Sequence, residues 1–318
     1  MASDEPNRII HADNLGVLPT LPDGGFTLVY LDPPFNTGRA QTRRPMTHVR
    51  VGAQGAQDTA TDAASPPAPS TLRQAQGTAS TGSAGIITGF QGRQYERIRG
   101  DLLRYDDRFD DYWGFLEPRL LEAWRLLADD GTLYLHLDYR EAHYAKVLLD
   151  ALFGRECFLN EIVWAYDYGA KAKRKWPTKH DTILVYVKDP SGYWFDSTAV
   201  DREPYMAPGL VTPEKAELGK LPTDVWWHTI VSPTGREKTG YPTQKPEGIL
   251  RRIVQASTRE GDWVLDFFAG SGTTGAVAAT LGRRFVLVDE NPEAIAVMRA
   301  RFADVAGVEF QDGSQPVG

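Results

Sequence analysis

The stretch that decides the fold is VLDFFAGSGTTG, Val264 to Gly275. An apolar run entering at Trp263 reads as a buried strand, and Gly270-Ser271-Gly272 interrupts it before helix-forming residues resume. Glycine lets the backbone turn tightly and approach a ligand, while the free N–H groups of a helix start favour negative charge. The helix runs to Leu281, and a second apolar run, RFVLVDE, then ends at Asp289 and Glu290. A carboxylate at the end of that next strand suits the two hydroxyls of a ribose, so the unit reads as half of a nucleoside-binding sheet.

Gly270, Gly272 and Gly275 also satisfy GxGxxG, the dinucleotide fingerprint. Asp266, however, stands just before the turn, where a carboxylate can pair with an ammonium and repels a pyrophosphate. Together with Phe268 ahead of the first glycine, it favours S-adenosylmethionine over NAD. The cofactor candidates in this block are Asp266, Phe267, Phe268, Ala269, Gly270, Ser271, Gly272, Thr273, Asp289 and Glu290.

A second constellation, Asp32-Pro33-Pro34-Phe35, follows the apolar strand TLVYL. Two prolines fix φ and donate no N–H, so the turn is rigid and its carbonyls remain free as acceptors. Asp32 and the Pro33 carbonyl can each accept one N–H of an exocyclic amino group, and Phe35 can stack on the heterocycle. Such bonds draw the nitrogen toward tetrahedral geometry and free its lone pair.

Around these motifs strand-like runs alternate with helical patterns, the signature of a mainly parallel α/β sheet. A strand is expected at Arg8 to His11, a helix over Tyr112 to Ala128 closed by Asp130-Gly131, a strand from Gly131 to Asp138, and a helix from Arg140 to Phe153. Strands are further expected at Asn160 to Tyr166 and Asp181 to Asp189, and helices at Pro246 to Ser257 and from Pro292. Ala53 to Gly85 is almost entirely Ala, Gly, Ser, Thr, Pro and Gln and cannot bury enough apolar surface to offset its ordering entropy. It reads as the centre of a disordered insertion at 46–89. The chain divides into an N-terminal half (1–189), an irregular segment (190–241) and a cofactor-binding half (242–318).

The chain has 318 residues, 42% of them hydrophobic, enough for a substantial core. No run of about 18 apolar residues and no charged-then-apolar leader is apparent, so a cytoplasmic protein without a membrane anchor is expected. One cysteine, Cys157, and six histidines without metal spacing argue against a disulfide scaffold and against a metal. The net charge of −7 gives no overall attraction to nucleic acid, so any such contact must come from local basic patches.

DPPF near the start, PTQKPEGIL and then FAGSGTT near the end resemble the amino-methyltransferases of DNA, which modify adenine N6 or cytosine N4. The order, target-amine motif before cofactor motif, resembles their circularly permuted β class. That resemblance implies a doubly wound, Rossmann-like methyltransferase sheet with a small target-recognition subdomain, placed at 190–241. It implies S-adenosylmethionine as cofactor and duplex DNA as partner, with Asp32, Pro33, Pro34 and Phe35 on the target base. It sets Asp13 by the cofactor's adenine, Asp32 at the cofactor boundary, and Thr243, Gln244 and Lys245 near its methionine end. DPP favours adenine by family tendency, with cytosine N4 as the alternative and an inactive DNA-binding relative as a third reading. A homodimer is suggested by the resemblance, and pairing with a restriction endonuclease is left open.

C5-cytosine chemistry needs a nucleophilic cysteine, and Cys157, in Arg-Glu-Cys-Phe, reads as a packed residue. A target nitrogen inside a duplex must be rotated out, at a cost of a few kcal/mol. The run GAKAKRKWPTKH is the densest positive patch, and Lys171, Lys173, Arg174, Lys175 and Lys179 are assigned to phosphates. Trp176 within it either stacks on a displaced base or packs. His180 reads as a structural partner for Asp181, remote from the pocket. Tyr193, Trp194, Trp226 and Trp227 serve equally as core or interface.

Overall fold

The computed structural model describes residues 5–34, 109–169, 171–232 and 234–313, with 109–111 described by their backbone alone. Phe35 and the insertion at 46–89 lie outside the described residues. In chain order the elements are β1 (Asn7–His11), α1 (Asn14–Val17), β2 (Phe26–Leu31), α2 (Phe109–Leu126), β3 (Leu127–Leu137), α3 (Ala142–Phe153), β4 (Phe158–Ala165) and β5 (His180–Val187). There follow α4 (Pro213–Leu218), β6 (Val225–Trp227), α5 (Glu247–Ser257), β7 (Trp263–Asp266), α6 (Thr273–Thr280), β8 (Arg284–Asp289), α7 (Pro292–Arg301) and β9 (Val308–Asp312).

The strands form one sheet in the order β6-β4-β5-β3-β2-β7-β8-β1-β9. Only β5 runs against its neighbours, β3 and β4; the other pairings are parallel. Alternation along each strand sends side chains to two faces. In β2, Val29 and Leu31 join a cluster with Leu116, Leu120 and Ala123 of α2 and Leu148 and Leu149 of α3. Leu28 and Tyr30 face the opposite cluster, with Ile249 and Ile253 of α5, Val277 of α6 and Met298 of α7. Helices therefore cover both faces, the doubly wound arrangement expected from the alternating pattern. The first strand of the chain, β1, pairs in parallel with β8 on one side and β9 on the other, so it completes the C-terminal half of the sheet. Among the described residues no helix is long and apolar enough to cross a membrane.

Three local expectations are corrected. The helix expected to reach Ala128 ends at Leu126, because Leu127 already pairs with Phe26. Asp129-Asp130-Gly131 then lies inside β3, where the register shifts between Phe26 and Leu28. β6 and β9 were not expected. β6 is three residues long, too short to show a period, and β9 offers only Val308 and Phe310, both half-buried against the core, within five residues. The stretch 190–241 supplies β6 to the main sheet, and Asp196 N donates to the Ala256 carbonyl at 2.8 Å. Trp226 is buried there, while Trp227 is 73% exposed.

The glycine turn depends on close packing. Gly272 has φ 72° at the start of α6, and a Cβ there would lie 2.8 Å from Met298 Cγ and 3.0 Å from Phe302 Cε2. Gly272→Ala therefore combines left-handed strain with overpacking and should lower unfolding free energy by about 1–3 kcal/mol in urea denaturation. A midpoint equal to the parent's would show that α7 yields freely.

Candidate functional site

Four neighbouring parallel strands, β2, β7, β8 and β1, end on the same side of the sheet. Leu28 pairs with Val264, Asp266 with Leu287, and His11 with Asp289. Asp32, Asp266, Asp289 and Asp13 thus gather along one carboxyl edge, the place where open α/β sheets hold ligands.

At that edge the glycine loop is held by carboxylates. Asp289 accepts from Gly270 N at 2.7 Å and from Asn291 N at 2.8 Å. Asp266 is 2% exposed and accepts from Phe268 N at 3.0 Å and from Thr274 Oγ1 at 2.6 Å. Both acids thereby shape the loop that the sequence assigned to ligand contact. Burial pushes the Asp266 carboxyl up to about 7, with the bonds from Thr274 and Phe268 opposing and the charges of Asp32 and Asp289 adding. Burial raises Asp289 as well, against its bonds to Asn291 and Gly270. Phe267 and Ala269 are core residues, Phe268 is half-buried, Ser271 is buried with its hydroxyl 3.1 Å from Thr273 Oγ1, and Glu290 is exposed.

The DPP turn sits next to this loop because β2 pairs with β7. Pro33 is buried and Pro34 exposed. The Asp32 carboxylate makes an ion pair with the ammonium of Lys245, the two side chains being 16% and 12% exposed. Lys245, expected at the cofactor's methionine end, therefore points into the target turn, while its carbonyl accepts from Thr273 Oγ1 at 3.2 Å in the glycine loop. Its neighbour Gln244 braces the segment, accepting from Thr239 N at 2.8 Å and donating to the Glu237 carbonyl at 2.6 Å; Thr243 is exposed.

Asp13 caps α1 by accepting from Leu15 N at 3.2 Å and pairs with Arg119 at 3.1 Å. Two residues of this corner were missed from sequence. Asn14 donates to the Phe267 carbonyl at 2.9 Å and accepts from Arg119 Nε at 2.6 Å, so α1 is tied to the loop after β7. Arg119 is buried and stands 3.9 Å over the Phe115 ring. The signal was present: Arg119 occupies the apolar stripe of α2, three residues after Leu116 and four before Ala123.

On the other side of Lys245 a cleft of about 640 Å³ opens, walled by Tyr139, Trp164, Tyr166, Tyr168, His180 and Asp181 and by Tyr241 to Lys245. His180 thus lines the cleft, and the expected His180–Asp181 pairing is replaced: successive strand residues point to opposite faces. Asp181 instead lies 3.3 Å from His136 Nε2 across β3 and β5 and accepts from Tyr166 OH at 3.1 Å. His136 Nδ1 is 2.8 Å from Tyr30 OH, completing a buried chain beneath the turn. Burial raises the Asp181 carboxyl, but His136, Lys245 and Tyr166 outweigh it and carry it below the ordinary range. Cys157 is buried in a turn before β4, and burial pushes its thiol up.

The residues fit a nucleoside ligand bearing positive charge. Three carboxylates converge on the loop, and the Tyr112 hydroxyl, buried and raised chiefly by burial and then by Glu141, Asp138 and Asp32, meets no hydrogen-bond partner among the described residues. A pyrophosphate would face that same negative field. Among the described residues no group of three or more His, Cys, Asp or Glu is placed to hold a metal ion.

Known proteins agree with this arrangement. A family model described as DNA methylase matches residues 26–300. The DNA adenine methyltransferase YhdJ of Escherichia coli K12 is 29% identical over 311 residues, covering 95% of this chain and 84% of that protein. The type II methyltransferase M.BglII of Bacillus subtilis is 39% identical over 288 residues, covering 88% of this chain and 64% of that protein. Among solved structures, PvuII DNA methyltransferase (cytosine-N4-specific) superposes with a TM-score of 0.59 at 15% identity, covering 98% of this chain and 97% of that one. The M1.HpyAVI–SAM complex gives 0.51 at 18%, covering 93% and 98%. With its target turn and glycine loop side by side and the family match running through both, the chain belongs to the N6/N4 DNA methylase family.

Proposed function

We propose that this protein transfers a methyl group from S-adenosylmethionine to the exocyclic N6 amino group of adenine in duplex DNA, acting in the cytoplasm. The observation that carries the reading is the position of Asp32, at the end of β2, beside a glycine loop crowded by Asp266 and Asp289. Similarity to a protein named as a DNA adenine methyltransferase supports adenine over cytosine.

When bound, S-adenosylmethionine supplies an electrophilic methyl group on a sulfonium sulfur. Glycine-loop residues 266–273, Asp289, Glu290 and Asp13 would hold it, and Thr243 and Gln244 would border it. Asp32 and the Pro33 carbonyl accept the two N–H bonds of the target amine, which aims its lone pair. The nitrogen gains a methyl and sheds a proton, and Asp32 is the acceptor in position to receive it. Positioning and charge complementarity carry most of the rate. Lys245 orients the Asp32 carboxylate before the amine arrives.

Lys171, Lys173, Arg174 and Lys175 are exposed on the β4–β5 loop beside the cleft and suit DNA phosphates. Lys179 donates to the Asp167 carbonyl at 2.9 Å and anchors the base of that loop. The stretch 190–241 supplies the base-specific contacts. A type II relative supports looking for a partner endonuclease, and a homodimer completes the proposal.

Purified protein incubated with unmethylated duplex DNA and methyl-labelled S-adenosylmethionine should yield labelled N6-methyladenine on nucleoside digestion; N4-methylcytosine would move the assignment to the other base. Asp32→Asn should keep cofactor binding by calorimetry while lowering turnover about 10²–10⁴-fold, and full activity in it would overturn the mechanism.

Asp266 adds a pH signature. Its folded value of about 7 lies above the ordinary carboxylate range, so the folded free protein holds a proton there that the unfolded chain has lost. Stability of the free protein should therefore decline as pH rises from the ordinary carboxylate range to about 7. An ammonium pairs with the ionised form, so cofactor affinity should rise with pH through that region. In Asp266→Asn both trends should flatten, read by thermal unfolding and calorimetry between pH 5 and 8.

A further inference from the structure

The outer rim of the cleft carries an aromatic residue to which the proposed function gives no part. Residues 167–179 join β4 to β5, and the loop is closed at its base by Tyr166 N donating to the Lys179 carbonyl at 2.9 Å and by the Lys179 side chain on Asp167. Beyond that closure it carries Lys171, Lys173, Arg174 and Lys175, all exposed, followed by Trp176. Trp176 is 93% exposed, far more than Tyr168 of the same loop at 65%. Thr178, two residues on, lines the cleft. At about 3.3–3.6 Å per residue, Trp176 stands within roughly 7 Å of chain from the cleft wall, about two base steps. Pro177 fixes its own φ and biases Trp176 toward an extended backbone, which limits retreat of the indole into the protein.

We infer that Trp176 is a wedge that enters the base stack of duplex DNA and fills the space a target base leaves when it turns into the cleft. An indole in water among four cations gains most from a partner that is both flat and polyanionic, and stacked bases flanked by phosphates are that partner. The cations bring the backbone to the loop, and the indole covers the exposed faces of the bases adjoining the gap. Trp176 is thus a positioning residue for the duplex, separate from the groups that meet the amine or the cofactor. The inference rests on the proposed action on duplex DNA.

The test compares Trp176→Ala and Trp176→Phe with the parent, using unmethylated plasmid DNA as the probe. At subsaturating DNA, Trp176→Ala should lower the methylation rate roughly 5- to 100-fold, the range expected from losing one stacked aromatic. Affinity for the plasmid by filter binding should fall less than threefold, because the cations remain. Trp176→Phe should recover most of the rate, and S-adenosylmethionine binding by calorimetry should be unchanged in both. A parental rate in Trp176→Ala would overturn the inference. So would a rate loss no larger than the affinity loss, since the indole would then merely hold DNA, or failure of phenylalanine to rescue. A change in oligomeric state by sedimentation would assign Trp176 to a contact between copies and also overturn it. If the parent transfers no methyl group to any DNA, the proposed function itself fails, a result distinct from all of these.

Discussion

The parallel pairing of β2 with β7 is the constraint on which the rest of the site depends. It sets two turns from opposite ends of the chain side by side, one rigid through proline and one supple through glycine. Neither turn has a complete chemistry alone. The DPP turn offers acceptors with nothing to react against, and the glycine loop offers a cradle with no nucleophile. Backbone hydrogen bonds between buried strands fix their separation, since breaking register by one residue would move every core side chain of β2 to the wrong face. Lys245 reinforces this joint, its carbonyl on Thr273 in one turn and its ammonium on Asp32 in the other.

That joint also sets the electrostatics. Asp32, Asp266 and Asp289 crowd one edge, and Lys245 pairs with the first of them. Burial, with the charges of Asp32 and Asp289 adding to it, keeps a proton on Asp266 to about pH 7 in the free protein. Hydrogen bonds from Thr274, Phe268, Gly270 and Asn291 lessen the cost without removing it. A ligand that arrives with positive charge meets aligned carboxylates and, where Asp266 is ionised, offsets the repulsion among them. A site shaped this way selects its cofactor by sign before any shape is compared.

Most of the fold was legible because its core strands each contain a short continuous apolar run. LVYL in β2, ILVYV in β5, WVL in β7 and FVLV in β8 are such runs, which is how strands buried on both faces are written. β6 and β9 were illegible because they are short edge strands of three and five residues, and their existence is decided by pairing with the backbone of β4 and of β1. In the site, residue types were readable but partners were not. Lys245 was expected near the cofactor's methionine end and its ammonium pairs with Asp32, a partner the sequence did not name, and Asp181, expected beside His180, took His136 from another strand. Sequence adjacency is a poor guide in a strand, where neighbours face apart; register across the sheet makes the pair. Arg119 is the instructive case, a charge on an apolar stripe, which calls for a buried acceptor before the structure names Asn14 and Asp13.

A protein of net charge −7 that acts on a polyanion must keep its attraction local. At physiological salt, charges more than about 8 Å apart are largely screened, so the acidic bulk repels DNA weakly while a tight cluster of cations at contact acts at full strength. The β4–β5 loop concentrates four such cations within five residues, on a closed hairpin base and at the rim of the cleft. Binding of this kind carries no sequence information, because phosphates are alike at every step. In the proposed function selectivity therefore has to come from elsewhere, from the base-specific contacts assigned to the stretch 190–241 and from the step in which a base leaves the stack.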